Sequence, residues 1–357
     1  MSRFQKIRDQ LDAYGLDAMM VTSMPNRLYV TQFRSSAGVA LVTKEKNYFI
    51  TDSRYIEAAG KHVTGAEIRL NTPQTSVTVL TNEILRAHGV KKLGFEEQYA
   101  TVEEYSRWKD KLSCEELVPA TKLITDLRAV KDQDEINCMV SAQRIAEKAL
   151  EDVFHFIKPG VTEKEISAYL QYRMLCHGAE KMSFEPIVVS GVNSSMPHGV
   201  PSDKKVEEGD FVTMDFGCVY GGYCSDMTRT VAVGHATEEM EKVYYTVLEA
   251  QKAGIAAARA GVTGKAVHEA AAKVIADAGY GEYFGHGFGH SLGVEIHENP
   301  RAAVTNDKPL PAGAVISAEP GIYLPGKFGV RIEDVIIIRE DGCTDIMEAP
   351  HELIVLK

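Results

Sequence analysis

Glu208-Gly-Asp-Phe-Val-Thr-Met-Asp-Phe-Gly217 is matched downstream by Ala312-Gly-Ala-Val-Ile-Ser-Ala-Glu-Pro-Gly321, with Asp215 and Glu319 at equivalent places 104 positions apart. In each stretch a glycine turn leads into an apolar, strand-forming run that ends on an acid. A carboxylate closing an apolar strand is expensive unless something pairs with it. The duplication extends outward: Lys158-Pro-Gly-Val-Thr-Glu-Lys-Glu165 recurs as Arg259-Ala-Gly-Val-Thr-Gly-Lys-Ala266, Gly160 and Gly261 lying 101 positions apart. Each copy follows a helical stretch, 134–156 and 238–258, and opens a second helix with Thr162 or Thr263 as its N-cap. Thr162 has a complete capping box with Glu165, whereas Ala266 leaves the second copy only its cap. Two halves of one design predict a pseudo-twofold α+β domain. Asp226 and Glu333 are the next acidic strand positions after Asp215 and Glu319. A common axis brings two carboxylates from each half together, and His290 breaks the symmetry.

The first pair can be placed by register. Asp215 and Asp226 flank Cys218-Val-Tyr-Gly-Gly-Tyr223, a tight hairpin turn. With Tyr220-Gly221 as the loop the two aspartates face each other; with Gly221-Gly222 they are diagonal neighbours on one face. Both registers put like charges within cross-strand reach, which is unfavourable unless a positive group lies between them. The plainer alternative, two aspartates facing solvent, does not account for the repeat. Two divalent cations would balance the four carboxylates and acidify a bridging water to hydroxide. An oxygen-rich donor set with one imidazole favours manganese, cobalt or iron over a sulfur-bound structural zinc.

A chain of 357 residues with 45% hydrophobic content suggests two domains with sizeable cores. Strand-like runs at 17–22, 38–43 and 47–51, with helices at 3–14, 77–87 and 101–112, make the first third a separate α/β domain. The boundary falls within 123–131, dividing the chain into 1–126 and 127–357. Beyond it, Asp132-Gln-Asp-Glu-Ile136 supplies the acidic first turn of a long helix. The six cysteines show no paired CxxC spacing, which fits reduced thiols in a cytoplasmic protein. No signal-peptide core or membrane-length apolar run is evident. A net charge of −11 argues against nucleic acid or an anionic membrane as partner. Several motifs fail on context: the glycines around His286 do not form GxGxxG, His297-Glu298 lacks the second histidine of HExxH, and Asp215-Phe-Gly217 has no kinase loops beside it.

Pro197-His198-Gly199, Asp215-Phe-Gly217, Asp226, His286-Gly-Phe-Gly-His290, His297-Glu298, Glu319-Pro-Gly321 and Arg331-Ile-Glu333 together carry a family resemblance over essentially the whole chain. The sequence resembles the metallopeptidases that share the pita-bread fold with methionine aminopeptidase, and among them prolidase and aminopeptidase P. The resemblance implies a C-terminal pita-bread catalytic domain behind a smaller α/β creatinase-N-like domain that helps form a homodimer. It also implies two divalent ions per subunit, manganese first, with cobalt, iron or zinc as alternatives. Asp215 would hold one ion, His290 and Glu319 the other, and Asp226 and Glu333 would bridge. By the same resemblance Glu319 is the general acid/base, while His198 and His297 hold substrate and stabilise the tetrahedral intermediate. His286 is expected in the substrate pocket, and Arg331 to orient or neutralise the metal carboxylates. Arg301 matches the position where a guanidinium grips a dipeptide's carboxylate, which favours short Xaa-Pro peptides. The alternatives are an aminopeptidase P-like enzyme for longer peptides and a metal-free creatinase-like hydrolase.

Overall fold

A computed structural model describes residues 2–357. It divides into two compact units, one ending at Arg128 and the other running from Ala129 to Lys357.

The N-terminal unit is a six-stranded sheet in the order Glu67–Leu70, Asn47–Thr51, Val39–Thr43, Ala18–Val21, Lys92–Phe95, Glu116–Pro119. The three runs anticipated from the sequence form its antiparallel centre, and the three flanking strands add in parallel. Those flanking strands are short and half polar, so their alternation gives little signal. Ala18, Leu41, Ile50, Leu85 and Leu93 are fully buried in the core of this unit. The helix expected at 3–14 is regular only over Arg3–Arg8. Beyond it the backbone bonds tighten to i→i−3, as Gln10 N donates to Ile7 O and Leu11 N to Arg8 O.

The second unit has the duplicated plan. Helices Gln133–Phe154 and Glu163–Cys176 pack in one half, and Glu238–Ala257 and Gly264–Asp277 in the other. Thr162 accepts from Glu165 N and has the full capping box, while Thr263 accepts from Ala266 N alone. One sheet runs Val355–Leu356, Met227–Val233, Phe211–Phe216, Ile187–Ser190; the other runs Glu298–Ala302, Gly289–Ser291, Val315–Ala318, Asp334–Arg339, Gly342–Asp345. Tyr220 pairs with Tyr223, so Gly221-Gly222 is the hairpin loop, both glycines at positive φ. The halves join at a seam: Thr228, opposite Asp215 in the hairpin, also bridges Glu333, whose N–H donates to Thr228 O at 3.1 Å.

Behind the seam lies a buried polar clamp. Arg229 Nη1 donates to Glu333 O at 2.7 Å, Nη2 to Asp334 Oδ1 at 2.8 Å, and Nε to Pro350 O at 2.8 Å. His351 Nε2 lies 2.6 Å from Asp334 Oδ2, and this hydrogen bond raises the histidine above its ordinary pKa. A histidine whose folded pKa is raised contributes stability that is complete below the unfolded value of about 6.5 and is lost as pH rises through the folded one. His351→Gln is therefore expected to flatten the pH dependence of urea unfolding above about pH 6.5; an unchanged slope would remove this link.

Candidate metal centre

The seam and the strand ends around it bring the acids together. Asp215 is the penultimate residue of the Phe211–Phe216 strand, Asp226 immediately precedes Met227–Val233, and Glu333 immediately precedes Asp334–Arg339. Glu319 directly follows Val315–Ala318, and His290 is central in Gly289–Ser291. Two glycines make the approach possible. A Cβ at Gly217 would run into Ser225 O, and one at Gly289 into Ser317 O, so larger residues would hold the acid- and histidine-bearing segments apart.

Ligand atoms of Asp226, His290 and Glu333 all lie within 4.8 Å of one another. His290 Nε2 stands 3.4 Å from Glu319 Oε1 and 3.7 Å from Asp226 Oδ2. Its Nδ1 is 3.2 Å from Ser291 O, an arrangement in which Nδ1–H donates to the carbonyl and the Nε2 lone pair faces the acids. Ser317 Oγ accepts from His290 N at 3.0 Å and donates to Glu319 Oε1 at 3.0 Å, fixing the two donors relative to each other. Thr228 Oγ1 donates to Glu333 Oε2 at 2.7 Å.

The electrostatics of this cluster are unbalanced. Burial, then the Glu333 and Asp215 charges, push the Asp226 carboxyl well up; burial, then Glu319 and Asp215, do the same to Glu333. Glu319 is pushed up to about 7, chiefly by burial. Asp215 Oδ1 and Asp226 Oδ1 are buried with no hydrogen-bond partner. Buried orphan acceptors facing other acids have the chemistry of a cation site, and the oxygen-rich set with one imidazole fits divalent ions. Arg331 supplies a nearby protein cation, with Nη2 donating to Asp215 Oδ2 at 2.6 Å.

The same arginine extends the network into the pocket. Its Nε donates to Thr228 Oγ1 at 3.1 Å and its Nη1 to Tyr323 Oη at 2.8 Å. Tyr323 Oη lies 3.0 Å from His286 Nε2, and His286 Nδ1 lies 2.8 Å from Gly287 O. Because Nδ1 must donate to that carbonyl, neutral His286 accepts from tyrosine through Nε2. Burial and the Arg331 charge hold His286 down at about 4, consistent with the neutral ring. Both nitrogens are thus spent inside the protein. His286 lines the pocket, with both ring nitrogens paired to protein groups.

A cavity of about 530 Å3 opens over the acids, a size suited to a small ligand. His198, His297, Arg301 and the five candidate ligands line it, with Phe184, Ile187 and Ile296 as apolar wall. The His290 and His297 rings meet edge-on, centroids 4.4 Å apart. Burial, then neighbouring His290, lower the His297 pKa, which favours a neutral ring able to donate one hydrogen bond. Thr228, Ser317, Tyr323 and the apolar wall escaped sequence reading. Thr228 alone had a usable signal, since the Gly221-Gly222 register sets it opposite Asp215.

The pattern of metallopeptidase family M24 matches residues 137–340. The chain belongs to metallopeptidase family M24. Residues 3–130 match the creatinase/prolidase N-terminal domain, so the order is that of a creatinase-N unit followed by an M24 pita-bread catalytic unit. Among similar M24 proteins, an Xaa-Pro dipeptidase of Pyrococcus horikoshii is 36% identical over 99% of this chain and 98% of its own length. The structure of an Xaa-Pro dipeptidase from Bacillus anthracis superposes with a TM-score of 0.95 at 42% identity, covering 99% of both chains. That of an X-Pro aminopeptidase from Thermotoga maritima gives 0.92 at 36% identity, covering 97% of this chain and 100% of the other. As an M24 member the protein is a metal-dependent peptidase. No helix among the described residues is long and apolar enough to cross a membrane.

Proposed function

We propose that the protein hydrolyses the Xaa-Pro bond of dipeptides and short peptides, using two divalent ions with manganese as the first candidate. The observation that carries the reading is the meeting of Asp226, His290 and Glu333 donor atoms within 4.8 Å beneath a cavity that also presents His198, His297 and Arg301. Asp215 would hold one ion, His290 and Glu319 the other, with Asp226 and Glu333 shared. When bound, the ions supply Lewis acidity and lower the pKa of water at the site.

The chain's own residues supply the rest. Proline bends the peptide and leaves its amide nitrogen without a proton, and here as at any peptide bond the leaving nitrogen must receive one for the bond to break. Glu319, set beside the centre by its hydrogen bond from Ser317 Oγ, is suited to take a proton from the attacking water and give it to the leaving nitrogen. Water's hydroxyl joins the carbonyl carbon, the carbon–nitrogen bond breaks, and the products are the Xaa acid and the proline amine. His297, held neutral, and His198 face the cavity where the carbonyl oxygen gains charge, and their N–H groups stabilise it there. Arg331 keeps Asp215 oriented. All six cysteines are free thiols, which supports a cytoplasmic protein. The family resemblance adds a homodimer.

The test is hydrolysis of Ala-Pro and Ala-Pro-Ala by metal-stripped protein with and without added manganese. Metal-dependent cleavage of Ala-Pro is expected; no cleavage of either peptide under any divalent ion defeats the reading. The aminopeptidase relative makes peptide length a real alternative. Arg301 lies at the cavity, opposite His290 in the strand pair. A guanidinium binding the dipeptide carboxylate makes Arg301→Ala raise KM for Ala-Pro by about tenfold or more, the worth of a charge-assisted pair. KM for Ala-Pro-amide should hardly move. Equal losses on acid and amide would assign Arg301 to the fold and leave longer peptides as equal substrates.

A further inference from the structure

A lysine buried behind the pocket joins the segments that carry its two adjacent histidines. Lys131 side chain is 1% exposed, and Glu298, its ion-pair partner, is 5% exposed. Lys131 Nζ donates to Ser291 Oγ at 2.9 Å and to Glu298 Oε2 at 3.2 Å. Ser291 directly follows His290, and Glu298 directly follows His297. One ammonium group therefore grips the neighbour of each histidine. Its own backbone is anchored, Lys131 N donating to Gly313 O at 2.9 Å.

The loop between the histidines is built around the same carboxylate. Glu298 Oε1 accepts from Glu295 N at 3.1 Å, and Gly293 N donates to Glu295 O at 2.9 Å. A Cβ on Gly293 would lie 2.8 Å from Glu298 Oε1, so glycine leaves the space this carboxylate fills. Cys224 N donates to Gly293 O at 2.8 Å, tying the loop to the hairpin that carries Asp226. The paired strands shift register between His290 and Ser291, and that break falls where Lys131 attaches.

Stability is a poor reason for such a pair. Desolvating a lysine and a glutamate offsets most of their attraction, and neutral replacements of similar volume are often as stable. Geometry is a better reason, because the pair sets the distance between the histidine aimed at the acids and the histidine facing the cavity. We propose that Lys131 is a positioning residue of the centre, acting through Ser291 and Glu298 to hold His290 and His297 in register. The proposal rests on the peptidase reading for the role of His297, but its link to His290 concerns metal binding alone.

The test compares wild type with the Lys131→Met/Glu298→Gln double variant and with Ser291→Ala. Metal-free proteins are titrated with Co2+ by calorimetry and by visible d–d absorption, melted without metal, and assayed on Ala-Pro. The double variant should melt within a few degrees of wild type. It should bind Co2+ about tenfold or more weakly with an altered spectrum, in the range typical of lost outer-shell partners, and lose kcat/KM to a similar extent. Ser291→Ala should show a smaller loss of the same kind. Wild-type Co2+ affinity and spectrum in a folded double variant overturn the proposal. If that variant does not fold, an unchanged Ser291→Ala does so. Failure of wild type to cut any Xaa-Pro peptide sinks only the peptidase reading, and the Co2+ titrations still decide the place of Lys131.

Discussion

Glu319→Gln is expected to leave a folded protein whose turnover of Ala-Pro falls by about 10^2- to 10^4-fold, the usual worth of positioned acid/base catalysis. The substitution keeps shape. The amide oxygen can still accept from Ser317 Oγ, as Oε1 now does at 3.0 Å, and the backbone bond from Glu319 N to Phe288 O is untouched. What is lost is the carboxylate placed to take a proton from water and return it to the leaving nitrogen. An amide does neither. Because the residue is also a candidate ligand, kcat is to be read with metal content, at saturating manganese, beside a far-UV spectrum. Full metal occupancy with turnover within tenfold of wild type would remove the acid/base role.

The second large effect is on stability. Metal-free protein holds Asp226 and Glu333 buried together, and Asp215 Oδ1 and Asp226 Oδ1 lack partners. Manganese that binds only the folded state stabilises by about 4 kcal/mol per site at a thousandfold excess over its Kd. For a unit of this size that corresponds to a rise in Tm on the order of 10 °C. Asp226→Asn should divide the two states. Without metal the variant should be more stable than wild type at neutral pH, since the cost of burying a carboxyl that ionises freely on unfolding is gone. With manganese it should gain little, and hydrolysis should be lost. An asparagine variant that melts lower without metal yet keeps the full manganese shift contradicts the assignment.

The paired runs ending at Asp215 and Glu319, and the two Gly-Val-Thr helix starts, announce a duplicated domain because capping and strand patterning are local. Half of the N-terminal sheet was not legible: Glu67–Leu70, Lys92–Phe95 and Glu116–Pro119 are four-residue strands whose placement depends on neighbours already in the sheet. The Asp215–Asp226 hairpin left two registers open, and the chain takes the one with Gly221-Gly222 in the loop.

The divide falls between residue chemistry and residue partners. The sequence alone determined which side chains have the chemistry of the centre, since acids ending apolar strands and a histidine among glycines are recognisable without neighbours. Only the tertiary structure decided how those groups are occupied. One nitrogen of His286 is taken by Tyr323, 37 residues away. Lys131 had no visible role until folding put it against Ser291, 160 residues away, and Glu298, 167 away. A hydrogen bond is directional and operates over about 3 Å, so its donor and acceptor can be named from sequence, but their pairing exists only once the chain has closed on itself.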